Sequence, residues 1–182
     1  AAGVVGKYGY EVACIMGITE QAGVGNGTFY NYVKTRQELF DQLLPAVGVQ
    51  LLKVIASQLN PGLSGIDRER ARIVAYFEFF QKNRGFLRIL NEAEVYAPNA
   101  FKRHIKNVAM RYARALSKHF IKGELGDFRE DELTAVVYML MGARSYLTML
   151  WRSGPPESRK NIDKSYISTY FKLVEKGLFA AK

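Results

Sequence analysis

One cysteine, two histidines, one tryptophan and five prolines are spread over 182 residues. A lone Cys14 cannot close an internal disulfide; it suits a reducing compartment and reads as a small apolar packing residue rather than a redox sensor. His104 and His119 stand fifteen residues apart with no cysteine to join them, so zinc-ligand spacing is missing and both read as surface residues. No serine, histidine and acid can be assembled into a catalytic set, and neither an enzyme nor a cofactor is expected. No stretch approaches 18 apolar residues without a charge, so a membrane span is not expected, nor is a signal peptide visible. The chain opens abruptly at Ala1-Ala2-Gly3, and its first helix reads as truncated. No run of four to eight residues alternates as a half-buried strand would, which leaves helical periodicity alone and an all-α fold.

Acidic residues are scarce in one region. Between Pro98 and Gly123 stand Lys102, Arg103, Lys106, Arg111, Arg114, Lys118 and Lys122 with no Asp or Glu, and this stretch carries much of the net charge of +9. Residues 1–45 hold only Lys7, Lys34 and Arg36 against Glu11, Glu20, Glu38 and Asp41, a net charge of −1. Positive charge overall therefore does not by itself mark the N-terminal region as a nucleic-acid surface.

What is present there is a pattern. Ile18-Thr19-Glu20-Gln21-Ala22-Gly23-Val24-Gly25-Asn26-Gly27-Thr28-Phe29-Tyr30-Asn31-Tyr32-Val33 reads as two short helices around a glycine turn, the outline of a helix-turn-helix. Gly23 is the expected pivot, since a helix ending there needs a residue that takes positive φ at little cost. Val24 is expected to pack inward. Gly25, Asn26, Gly27 and Thr28 place small and amide-bearing residues at a helix start that suits a phosphate oxygen, and Thr28, Tyr30 and Tyr32 add hydroxyl donors. Phe29 and Val33, four apart, share an inner face while Tyr30 and Asn31 turn outward. A Gly-Val-Gly-Asn-Gly turn that follows a helix rather than a strand lacks the context of a nucleotide-binding loop.

On Gly9-Tyr10, Ile18, Ala22-Gly23-Val24, Gly27-Thr28-Phe29-Tyr30-Asn31-Tyr32 and Leu39-Phe40 the sequence resembles the tetracycline-repressor (TetR) family of homodimeric transcriptional regulators. The resemblance covers residues 1–47. It implies a three-helix DNA-binding domain over 1–47 and a helical effector-binding and dimerisation domain over 48–182. It further implies that Gly25, Asn26, Gly27, Thr28, Tyr30, Asn31 and Tyr32 face double-stranded operator DNA, with Lys34 and Arg36 near the phosphate backbone. Four positions depart from the family pattern: Arg36 stands where a lysine is usual, Gly25 where serine is usual, Asn26 where lysine is common, and Ala13 where a threonine usually begins the second helix.

Further along, Thr35-Arg36-Gln37-Glu38 fits a capping box that opens a helix, and Pro45 predicts a kink or break with the domain boundary nearby. Helices are expected over Ile66 to Asn83, Phe86 to Tyr96 and Asn99 to Lys122. Asp131 to Ser153 leaves almost no polar face, so one side is expected in the core and the other against a second subunit, with Ile167, Tyr170, Phe171, Val174 and Leu178 supplying a matching stripe. Tyr76, Phe80, Phe86, Met110, Tyr112, Tyr138 and Met141 are the expected lining of an effector cavity, or alternatively simple core. Arg144, a cation within an apolar helix, needs either an anionic ligand or a carboxylate, with Glu92 and Glu94 the expected partners. The combined expectation is a cytoplasmic homodimeric repressor released from a palindromic operator by a small apolar or amphipathic effector. The rivals are a DNA-binding dimer without effector and a helical interaction module without DNA.

Overall fold

The computed structural model describes residues 1–155, 157 and 161–179. Its elements are α1 (Ala2–Tyr8), α2 (Ile15–Ala22), α3 (Asn26–Tyr32), α4 (Arg36–Gln58), α5 (Gly65–Lys82), α6 (Phe86–Tyr96), α7 (Pro98–Ile121), a 3₁₀ turn (Glu130–Glu132), α8 (Leu133–Ser153) and α9 (Lys164–Leu173), which runs on into a π-helical turn (Val174–Leu178). The described residues contain no strand, and the fold is all-α. Two compact units form: Ala1–Leu52 with Lys82–Lys106, and Lys53–Gln81 with Asn107–Lys182.

In the first unit α1 lies against the start of α6 at a glycine pair, where a Cβ on Gly85 would stand 2.7 Å from the Cα of Gly6. Tyr10 anchors the turn after α1. Its backbone N–H donates to Glu92 Oε2 at 2.8 Å, and its buried ring meets Phe40 edge-on and stacks on Tyr96. The Arg88 guanidinium pairs with Glu92 at 3.5 Å and donates to the Lys7 carbonyl. Residues some eighty positions downstream thus complete the unit that holds the helix-turn-helix.

Of the kink or break expected at Pro45, the break is corrected: α4 continues from Arg36 to Gln58 with the proline inside it. Proline removes the N–H that would have bonded to the carbonyl of residue 41. Arg103 Nη2 donates to that Asp41 carbonyl at 3.3 Å, which supplies a partner for the orphaned acceptor.

His104 and His119 are both buried, which corrects their reading as surface residues. The His104 imidazole is seated over Gly48 of α4 and meets Phe86 edge-on. Burial lowers its pKa from 6.5 to about 4. Between those values the unfolded chain takes up a proton that the folded chain refuses, so stability falls as pH falls below 6.5. At pH 5 the loss is about 2 kcal/mol relative to pH 7. Urea midpoints for the native chain and His104→Gln across this range check it: the native curve is expected to fall more steeply, and parallel curves would refute the assignment.

In the second unit α5 buries Glu69, Arg72, Ile73, Tyr76, Phe77 and Phe80 along one stripe. Helix α8 divides as a helix apolar all round must: Val136, Val137, Leu140, Arg144, Thr148 and Trp151 face inward, while Tyr138, Met139, Tyr146, Met149 and Leu150 are exposed. Tyr170 and Phe171 of α9 are buried, as are Val174 and Leu178 of the turn that follows. By length and composition Arg36–Gln58 and Glu130–Ser153 are long and apolar enough to cross a membrane. Each has a buried face within its own fold, and that of α8 carries Arg144, a pattern that core helices share.

Candidate functional site

Helix α2 begins at Cys14, whose Sγ accepts from the Gly17 N–H at 3.4 Å, so the cysteine is an exposed N-cap and not a packing residue. The helix ends at Gly23 with φ 67°, a left-handed conformation that a side chain would strain. The Gly23 and Val24 N–H groups bond back to Glu20 and Thr19, closing the C-terminus. Val24 is 42% exposed, which corrects its expected inward packing. The buried Thr19 hydroxyl does more to set the turn: it donates to Asn26 Oδ1 at 2.8 Å and ties the start of α3 to α2.

Phe29 and Val33 are buried, as their spacing predicts, and they seat α3 on the unit. Gly25, Asn26, Gly27, Thr28, Tyr30, Asn31, Tyr32 and Lys34 are all exposed. Tyr30 and Tyr32 keep 54% and 81% of their surfaces in solvent, large for aromatic residues. A Cβ at Gly25 or Gly27 would meet nothing within 4 Å, and neither residue has positive φ, so contacts within the chain do not require glycine there.

Arg36 is used inside the fold. Its Nε donates to the Ala13 carbonyl at 2.8 Å, its Nη2 to the carbonyls of Glu11 at 2.7 Å and of Tyr10, and the guanidinium lies 4.8 Å from the centre of the Phe40 ring. It clasps the α1–α2 turn to the start of α4. The cap that opens α4 is as expected at Thr35, whose hydroxyl accepts from Glu38 N–H at 3.0 Å, whereas Glu38 Oε2 accepts from Lys34 N–H rather than Thr35 N–H.

Sequence position conceals the electrostatics of this unit. Residues 1–52 carry three cations against four carboxylates, but residues 82–106 add six cations against two carboxylates. Folding these segments together makes the unit net positive by three.

In the second unit Arg144 lies among Tyr76, Tyr112 and Glu69. Its guanidinium is 4.6 Å from the Tyr112 ring centre and 5.3 Å from that of Tyr76, and its Nε donates to the Leu140 carbonyl at 3.1 Å. Burial works against its charge, but Tyr112, Tyr170, Glu69 and Tyr76 more than offset this and raise its pKa. No carboxylate among the described residues pairs directly with Arg144; Glu69, whose charge acts on it through space, accepts from Arg72 and from the Tyr112 hydroxyl. Glu92 and Glu94 are therefore corrected as partners: Glu92 bonds to Tyr10 and Arg88 in the first unit, and Glu94 is exposed. Burial is also the main reason that Tyr112 and Tyr76 have raised pKa values.

Of the expected effector lining, Tyr76, Phe80, Tyr112 and Arg144 are buried in this unit, with Tyr76 and Phe80 centred 4.7 Å apart. Met141 is half-buried, Met110 and Tyr138 are exposed, and Phe86 belongs to the first unit, against His104. Among the described residues no group of three or more His, Cys, Asp or Glu is placed to hold a metal ion.

No family model matches the chain. It is 23% identical over 180 residues to the uncharacterized HTH-type transcriptional regulator YhgD of Bacillus subtilis, covering 96% of this chain and 90% of that one. The structure is similar to that of FadR from Bacillus subtilis in complex with stearoyl-CoA, with a TM-score of 0.82 at 16% identity over 98% of this chain and 95% of that one. The fatty acid degradation regulator FadR of Bacillus halodurans gives a TM-score of 0.79 at 17% identity, over 97% and 91%. A bacterial regulatory protein in the TetR family from Rhodococcus RHA1 gives 0.71 at 17% identity, over 98% and 93%. The fold is that of TetR-family transcriptional regulators.

Proposed function

We propose that this chain of TetR-regulator fold is a cytoplasmic, homodimeric DNA-binding repressor, in which residues 1–47 engage a palindromic operator and residues 48–182 dimerise and bind an effector. The observation that carries the reading is the outer face of α3. Gly25, Gly27, Thr28, Tyr30, Asn31 and Tyr32 are exposed beside a rigid turn, and the open space at both glycines suits close approach of a phosphate backbone. Tyr30, Asn31 and Tyr32 are the side chains for base edges and sugar-phosphate, and Lys34 is the backbone cation. Arg36 contributes by holding the helix-turn-helix in shape.

The exposed Tyr138, Met139, Tyr146, Met149 and Leu150 of α8 support an isologous interface, since such a patch loses its contact with water when two copies pair. Two reading helices held about 34–36 Å apart would then enter successive major grooves. An apolar or amphipathic effector suits the aromatic residues around Arg144, and the likeness to a FadR solved with stearoyl-CoA favours the amphipathic kind. An effector that binds better to a conformation with mismatched reading heads lowers operator affinity by that difference alone.

The test is a mobility shift of the full chain on fragments of its own upstream DNA across a salt series. Specific retention that weakens with salt is expected. Asn31→Ala and Tyr32→Ala are each expected to lower affinity about tenfold or more, at unchanged melting temperature, because a base or phosphate contact of this kind is worth about 1–3 kcal/mol. Retention that is unchanged in both variants while the dimer persists would remove these residues from the DNA interface.

A further inference from the structure

We propose that a cleft in the second unit, between the start of α5 and the C-terminal half of α7, binds a small anion bearing two or more phosphate groups. The cleft encloses about 550 Å³, and Arg68, Arg72, Arg111, Arg114, Lys118 and Lys122 line it. Among the described residues only Arg72 of these six has a carboxylate partner, Glu69. The other nearby carboxylate, Glu124, is engaged by His119 Nδ1 at 2.6 Å. Five cationic residues thus line one cleft without an ion-pair partner among the described residues.

A solvated face of a helix ordinarily mixes both signs, whereas α7 has no acid along its whole length. Arg111, Arg114, Lys118 and Lys122 recur every three or four residues, and each like-charged pair at that spacing costs about 0.2–0.5 kcal/mol. The negative end of the α7 dipole accounts for cations in its last turn. It does not account for Arg68, which enters the same cleft from the first turns of α5, where the dipole opposes a cation. Leu59, Ala115 and Ile121 add apolar surface to the wall. Planar arginine forks beside mobile lysines suit phosphate oxygens spread over several ångströms.

The inference does not use operator binding: a chain that failed to shift its upstream DNA would still be expected to take the anion. The experiment is calorimetric titration of the full chain at physiological salt with inorganic pyrophosphate, ADP and sulfate, repeated on Arg111→Gln/Arg114→Gln/Lys118→Gln and on Arg114→Gln alone. One-to-one binding of pyrophosphate or ADP at least tenfold tighter than sulfate is expected, falling at least tenfold in the triple variant and by a smaller factor in the single one. Equal affinity for pyrophosphate and ADP would support a site that reads phosphates only; tighter ADP would support use of the apolar wall by an organic group. Sulfate binding as tightly as pyrophosphate, or pyrophosphate binding unchanged in the variants, would overturn the proposal. So would a triple variant that loses affinity for duplex DNA and keeps its affinity for the anion.

Discussion

Replacing Glu69 by leucine is expected to destabilise the protein by about 3–5 kcal/mol, because it strands buried positive charge. Glu69 is fully buried, accepts from Arg72 and from the Tyr112 hydroxyl, and stands with Arg144 in the same cluster. Without it, two buried guanidinium groups keep only ring faces and a backbone carbonyl: Tyr112 and Tyr76 beside Arg144, Tyr112 beside Arg72, and the Leu140 oxygen. Cation–π contacts are worth about 0.5–2 kcal/mol each, too little to replace a carboxylate in low dielectric. Glu69→Gln retains the volume and the hydrogen-bonding oxygen and is expected to lose less. Pairing Glu69→Leu with Arg72→Met should recover part of the loss, since one stranded charge leaves with its partner. Urea unfolding of the three variants decides the matter: a cost below about 1 kcal/mol for Glu69→Leu would mean that the cluster is not electrostatically coupled.

Gly48→Val is expected to cost about 3 kcal/mol, for a reason that helix propensity alone would reverse. Inside a helix such as α4, valine is better than glycine by a few tenths of a kcal/mol. A Cβ at Gly48, however, would overlap Cε1 and Nδ1 of the buried His104 ring. Overpacking of a filled core costs about 1–3 kcal/mol, and a β-branched residue lies at the upper end because it lacks a rotamer that avoids the ring. The steric effect therefore wins. In a His104→Ala background the same substitution should change sign or become neutral, as the added methyls fill the space left by the imidazole. A cost that stays the same in that background would show that the clash lies elsewhere.

The parts of the candidate site that were legible in the sequence share a short range. Gly23 as pivot, Phe29 and Val33 as the seated face, Thr35 as cap and the outward Tyr30 and Asn31 all follow from spacings of one helical turn or a single backbone conformation. Val24 departs from its expected burial because the turn itself closes through backbone bonds and Thr19 ties it to Asn26. The Glu69–Arg72 pair was missed in the sequence, although a signal was there: both lie on the stripe continued by Ile73, Tyr76, Phe77 and Phe80, where two polar residues at helical spacing mark a buried pair.

Arg36 had a different fate because its three carbonyl acceptors lie more than twenty residues upstream, and no local pattern reports them. Pro45 lies within a continuous α4, and the Asp41 carbonyl that it leaves without a helix partner accepts from Arg103, 62 residues on. By itself the sequence determined that the fold is all-α, which face of each helix is apolar, and the ends at Gly23 and Thr35, since those properties are set within one or two turns. Only the tertiary structure decided where the cations went: Arg36 into a clasp, Arg144 among the Tyr112 and Tyr76 rings, residues 82–106 into the unit of the helix-turn-helix, and Arg68 into the cleft that the α7 stripe lines. The physical reason is that a charge selects its partner by distance in space across the fold, a quantity that the periodicity of a single helix does not contain.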